Sequence, residues 1–430
     1  MKSMFFFNKN PILLVLLGLF VYDFSDFIWL IPVKFSNIIK LLGFLIISIG
    51  LGKCKIRNFQ KISFLKSFFS GYNLIILTVT FITIIGISFS KNTISFTGSD
   101  FFRYVLFFPH TPLIHFFPLL LFIKWDFLII KLFWKLGIFF LYINLFILLI
   151  SFPILQTGFF DNGNLSGSSR ILAGESNDLR SLLPFLFIGT ALLNLRYSLI
   201  YFNKPIQILL LLGFNLSLYF LNLAGGSRGA ALMGLINLLV PFLGNLNNKR
   251  FFLLSFTGLF IVISFLYFIS DSVYLEYLND RLFSDKRNLE FNESQREYYT
   301  ESLINDFNQS PLDYFFGRGF FGTYKVGQIG EPRPDIEWGF WWFILKGGFL
   351  YLILYLFLNL SAFYFGYFKS RNTLCRVIGL NALVRLISLV PFGIPTFSLG
   401  YTISILFLGL VFHPQVRSLN DGDLNRILKN

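Results

Sequence analysis

Cysteine, histidine and charge are all scarce in this chain. Among 430 residues there are 2 cysteines and 3 histidines, and only 13% of the residues are charged. Two cysteines exclude a disulfide framework, and Cys54 and Cys375 lack the paired spacing of a zinc site. His110, His115 and His413 are dispersed at or within apolar runs, so no metal-ligating set forms and no metal is expected. Neither a phosphate-cradling glycine loop followed by lysine nor a dinucleotide fingerprint occurs, which argues against a nucleotide and leaves no cofactor expected. So little charge, beside so much apolar residue, also excludes an ordinary soluble globular domain.

What the chain has instead is apolar bulk: 55% hydrophobic residues, 60 of all residues being phenylalanine. A transmembrane helix needs about 20 mostly apolar residues, and roughly twelve such runs are present. They lie near 11–31, 36–52, 71–90, 102–123, 127–152, 180–196, 205–224, 229–247, 250–270, 338–366, 374–391 and 395–413. The fold class expected is therefore an all-α integral membrane protein with about 12 transmembrane helices. Residues 1–270 carry the first nine, 271–337 form one large polar loop with a short helix, 338–413 carry the last three and 414–430 form a tail.

The net charge of +14 does not mark a nucleic-acid binder, because the basic residues are spread over alternate loops. Lys53, Lys55, Arg57, Lys61 and Lys66 fall on one side together with Lys124, Arg196, Lys204, Lys249, Arg250, Lys369, Arg371 and Arg376, and the tail adds Arg417, Arg426 and Lys429. By the positive-inside rule both termini are cytoplasmic and the 271–337 loop is external. The opening "MKSMFFFNKNPILLVLLGLF" resembles a signal peptide but has no small-residue cleavage site, and is read as a retained first helix.

The external side gathers arginine, which topology does not demand. Arg228 stands in "NLAGGSRGAALMGLI" between two predicted helices, with Gly225, Gly226 and Gly229 leaving room for a ligand near the backbone. Arg170 and Arg180 flank Asn177 in "SGSSRILAGESNDLRS", and Arg281, Arg287, Arg296, Arg318 and Arg333 lie in the large loop. A guanidinium fork fits phosphate oxygens, so this grouping suggests an anionic headgroup; snorkelling or local ion pairing is the plainer reading of any one of them.

Within the loop, "SQREYYTESLINDF" predicts a helix with Ser294 and Glu297 as a capping box, ending near Gln309 before Pro311. Helical spacing sets Arg296 above Tyr299, Leu303 and Phe307, on the apolar face, where a cation early in a helix opposes the dipole. Then come "SPLDYFFGRGFFGTY", rich in glycine, and "EPRPDIEWGFWWFILKGGFLYLILYL", where Asp335 and Glu337 stand at the outer end of the next span. A carboxylate at that interface is a candidate general base. Trp338, Trp341 and Trp342 read as an interfacial belt, or as a sugar-stacking platform.

The order "GGSRGA", a long external loop with "SQREYY" and "SPLDYFFGRGFFGTY", and a polar pair before "WWFILKGGFLYLILYL" resembles the O-antigen ligase and polysaccharide polymerase superfamily, over residues 165 to 365. That resemblance implies a multi-spanning glycosyltransferase of the bacterial inner membrane. Its donor would be an undecaprenyl-pyrophosphate-linked oligosaccharide, used at the periplasmic face without metal. Arg228 stands where the family has its "SRG" arginine and Arg296 where it has one ahead of the loop helix. Ligases of the family carry a histidine leading into the helix after the loop, whereas this loop has none and Glu337 takes the place. The resemblance therefore leans to a repeat-unit polymerase, with membrane lipids and a chain-length regulator as further partners.

On that reading the reaction inverts the anomeric carbon. Arg228 and Arg296, supported by Arg170, would hold the leaving pyrophosphate, Glu337 would take the acceptor's proton, and Arg180, Asn177, Arg318 and Asp335 would line the substrate site. The alternatives are an O-antigen ligase, which transfers finished glycan to lipid A-core, and a lipid-linked oligosaccharide flippase, which is not an enzyme. Charges gathered outside, apart from Asp23 and Asp26 in the first span, argue against a path through the membrane.

Overall fold

The structure is a computed structural model that describes residues 11–27, 33–53, 105–106, 113–115, 120–121, 236, 240, 243–244, 289–326, 331–336, 338–390, 395 and 397–429. These residues are mostly helical. They fall into two units, one drawn from 1–129, 292–365 and 385–416 and the other from 130–291, 366–384 and 417–430. The expected spans near 71–90, 127–152, 180–196, 205–224 and 250–270 lie outside the described residues, and those at 102–123 and 229–247 are described only in short pieces.

In the first unit, α1 (Pro11–Phe27) and α2 (Val33–Lys53) pack together. Pro11 opens α1, where its missing N–H leaves no helical bond unmade. Gly18 and Gly43 let the two backbones touch, since a Cβ on either would come within 2.7 Å of the other's carbonyl oxygen. Ile12, Val15, Leu16 and Leu19 are buried, while Ile38, Leu41, Leu42, Leu45 and Ile49 on α2 stay 42 to 61% exposed. The small residues at the contact let the two helices approach closely while apolar side chains of α2 stay on the outside.

The polar loop builds a small lobe of α3 (Leu289–Asn308), α4 (Leu312–Phe316) and an antiparallel pair, β1 (Tyr324–Val326) and β2 (Glu331–Arg333), with Tyr324 opposite Arg333. α3 starts six residues earlier than the capping-box reading, so Ser294 is interior and is not an N-cap. Arg296 is then the eighth helical residue, past the first turn where a cation opposes the dipole. A serine three residues before a glutamate caps only where the chain ahead of it leaves helix, and Leu289, Glu290 and Phe291 are already helical. The predicted apolar face is present: Leu303 and Phe307 are fully buried against Tyr324, Ile336, Trp342 and Phe343.

α5 (Gly339–Phe363) continues through a π-helical turn (Tyr364–Phe368) and is, among the described residues, the one helix long and apolar enough to cross a membrane. It is broken at Gly347 and Gly348, whose backbones are not helical. α6 (Thr373–Ser388) follows, then α7 (Leu399–Phe412), capped by the Ser398 side chain accepting from the Tyr401 N–H at 3.3 Å.

The tail is folded, as α8 (Pro414–Ser418) and α9 (Asp421–Lys429). In the second unit it is tied to the connection before α6. Arg371 N–H donates to the Arg417 carbonyl at 2.9 Å, and Asp421 accepts from both the Thr373 N–H (2.7 Å) and its hydroxyl (2.8 Å). Asn372 caps α6 through Cys375 N–H at 2.9 Å. Two segments that the basic-loop pattern assigns to one face are thus in direct contact.

Candidate functional site

The break in α5 organises the site. Gly348 has φ +68°, a left-handed conformation in which glycine alone is unstrained, and a Cβ there would overlap the Phe315 carbonyl. A Cβ on Gly317, φ +66°, would likewise come within 2.5 Å of the Gly347 nitrogen. The break frees carbonyls on α5, and the lobe answers them: Arg318 N–H donates to Leu345 O at 2.7 Å and Gly319 N–H to Lys346 O at 3.0 Å. In return the Lys346 ammonium, 1% exposed, donates to the carbonyls of Phe320 and Gly322, both at 3.1 Å.

Beside this lysine lies an aromatic-walled cluster. His115 is buried, its ring stacked on Phe320 at 4.3 Å and on Trp342 at 5.4 Å, and its Nδ1 is 2.8 Å from the Tyr351 hydroxyl. Trp342 Nε1–H donates to Asp335 Oδ1 at 3.2 Å. The charge of Lys346 acts on His115, and that of Asp335 acts on Lys346. A cation, an imidazole, a phenol and a carboxylate therefore share one apolar setting. Such a set is able to hold a polar or anionic group and to relay a proton.

A buried ion cluster fixes the loop that closes the site. Arg318 is 1% exposed and Asp306 and Asp313 are 6% and 4% exposed. Its Nε donates to Asp313 Oδ2 at 2.8 Å, Nη1 to Asp306 Oδ2 and to Thr323 O at 2.8 Å, and Nη2 to Asp306 O at 3.3 Å. Asp306 also accepts the Lys325 N–H at 2.9 Å. Tyr314 ties α4 to α3, its hydroxyl near Ile304 O (3.2 Å) and Asn308 Oδ1 (3.0 Å); desolvation raises its pKa, so it remains a donor.

Of the residues singled out in the sequence, Arg228, Arg170, Arg180, Asn177 and Glu337 lie outside the described residues, as do Arg281 and Arg287. Arg296 is placed on α3 by its backbone alone. Asp335 is brought to the cluster. Arg318 is close by, but its donors are taken up by aspartates and carbonyls of the lobe, so in this structure it is a brace. Arg333 lies over the Tyr299 ring at 3.7 Å. Of the three tryptophans, Trp338 is exposed, whereas Trp342 is fully buried and belongs neither to an interfacial belt nor to an open sugar platform. Among the described residues no set of three His, Cys, Asp or Glu side chains is grouped to hold a metal.

Lys346, His115 and Tyr351 were not singled out as site residues from sequence. Lys346 did carry a signal, being a lone charge in an apolar run next to a glycine pair; ionisable residues and interrupted helices in membranes mark ligand sites. His115 carried none, since its partners come from residues more than 200 positions away. No family model, curated protein or solved structure matches the chain. The class that the described residues define is a mostly helical protein in which one helix, long and apolar enough to cross a membrane, is broken at a polar cluster.

Proposed function

We propose that this chain is a multi-pass membrane glycosyltransferase that polymerises undecaprenyl-pyrophosphate-linked oligosaccharide repeats at the outer face of a bacterial inner membrane. The observation that carries the reading is the docking of the polar lobe onto the broken helix beside Lys346, His115 and Asp335. A lipid-borne anionic donor and a hydroxyl acceptor meet at a membrane interface, and such a reaction needs fixed positive charge and a proton acceptor there. Arg228 and Arg296 remain the proposed pyrophosphate ligands on the strength of their sequence setting. Asp335, half-buried and bonded through one oxygen, is a candidate base alongside Glu337.

A flippase is the second reading, and one observation favours it. Tyr355 and Asn359 on α5 are buried, and the Tyr355 hydroxyl, Asn359 Oδ1 and Arg385 Nη1 make no hydrogen bond of normal geometry. Together with Tyr401 beside them they continue polar character along the apolar helix, as a translocation path would require. Gel analysis of lipopolysaccharide from a deletion strain carrying wild-type or Lys346→Ala protein separates the readings. Core plus a single repeat supports polymerisation. Bare core without external glycan supports the flippase, and bare core with polymer still on its carrier supports ligation.

A further inference from the structure

α4 is built inside out for a segment in water. Leu312, Phe315 and Phe316 are 69, 63 and 42% exposed, while Asp313 of the same helix and its partners Arg318 and Asp306 are buried. A polar lobe in water turns its apolar side chains inward and its charges outward. Here the order is reversed.

The position of α4 along α5 gives the reason. Phe315 meets the backbone at Gly348, and Arg318 bonds to Leu345, so α4 lies beside the break. From the break, residues 349–368 run on as apolar helix. At 1.5 Å per residue that stretch spans about 30 Å, the thickness of the hydrocarbon core. The break thus falls at the outer edge of the hydrocarbon. Down this stretch Phe349, Ile353, Phe357, Leu360 and Phe368 are exposed at helical spacing, one stripe facing whatever solvates the helix. Tyr314 of α4 stacks on Phe349, the top of that stripe, at 6.3 Å. The apolar surface of α4 is therefore continuous with the lipid-facing surface of α5.

We propose that α4 is immersed in the outer leaflet, with Leu312, Phe315 and Phe316 among lipid acyl chains just below the headgroups. The lobe is then partly seated in the membrane and is not wholly outside it. The polar cluster at Lys346 consequently stands at headgroup depth. This inference rests on α5 crossing a bilayer with the lobe on the outer side, as the basic loops orient it, and not on which reaction the site performs.

The test uses the full chain with Cys54→Ser and Cys375→Ala. Single cysteines at Leu312→Cys, Phe315→Cys, Ile353→Cys and Glu301→Cys are spin-labelled and reconstituted in phosphatidylethanolamine–phosphatidylglycerol vesicles. Collision with oxygen, which concentrates in lipid, is compared with collision with a water-soluble nickel chelate. Labels at 312 and 315 are expected to favour oxygen several-fold, as at 353, while the label at the exposed Glu301 position favours nickel. Nickel access at 312 and 315 equal to that at 301 would overturn the proposal. Shielding from both reagents would also overturn it, since a protein surface would then cover α4. Nickel access at Ile353 would refute the membrane crossing itself, a separate failure.

Discussion

Replacing Arg318 by alanine distinguishes a brace from a substrate ligand. The change leaves Asp306 and Asp313, 6% and 4% exposed, without the cation that neutralises them. Removing one side of a buried ion pair costs about 3–5 kcal/mol, and the lost bond to Thr323 O adds roughly 1 kcal/mol. The lobe is therefore expected to lose about 4–6 kcal/mol, felt as local opening of α3 and α4. Hydrogen exchange of the protein in detergent reads this directly: at about 1.4 kcal/mol per factor of ten, protection in the buried turn around Leu303 and Phe307 should fall by at least about a thousandfold. A triple variant, Arg318→Met with Asp306→Asn and Asp313→Asn, should recover most of it. It removes both buried charges, and the side-chain carbonyl introduced by Asp306→Asn still accepts from Lys325 N–H. Undiminished protection in Arg318→Ala, with activity lost, would refute the brace and return Arg318 to the substrate.

Gly348→Ala should displace the lobe from α5, because the added methyl requires a strained φ and meets the Phe315 backbone; faster tryptic cleavage between α3 and α5 than in wild type is expected, and unchanged cleavage would contradict the close approach. Asp421→Ala removes both acceptors of Thr373 and should destabilise the start of α6 by about 1–2 kcal/mol, seen as a lower unfolding midpoint in detergent, with Asp421→Asn intermediate. If Arg228 grips pyrophosphate through its fork, Arg228→Lys should lower polymerisation on the order of a hundredfold, whereas a mere membrane anchor would tolerate lysine and give wild-type chain length. Chelator should leave the purified protein's polymerisation unchanged, and metal-reversible inhibition would reveal a ligand set missed in the sequence.

Runs of apolar residues made α1, α2, α5, α6 and α7 legible, since length and hydropathy are local properties of the chain. The face of α3 was legible for the same reason: Leu303 and Phe307 are four apart. What escaped was relational. Arg318 looked like one more external arginine because its partners, Asp306 and Asp313, sit 12 and 5 residues back in a loop whose sequence also offers Asp280, Asp285 and Glu301 as carboxylates. Gly347 and Gly348 fall inside a single expected span, 338–366, because the break depends on the loop from Phe315 to Gly319, which precedes the span in sequence and meets it only in the fold. Trp342 was assigned to a belt by its neighbours in sequence, whereas in space it stacks on His115 and lies within the buried cluster.

The break in α5 also bears on how the protein is assembled. In an uninterrupted helix the carbonyls of Leu345 and Lys346 would take amide protons from residues four further on. Here they take them from Arg318 and Gly319, so docking the lobe exchanges two helical bonds for two of similar strength. During synthesis the donor loop emerges first, and the carbonyls it bonds follow only with α5. The break is therefore expected to form as the lobe docks. A pair of distance labels across residues 343 and 353 should report it, reading a changed separation, about 15 Å for a continuous helix, whenever the lobe is detached.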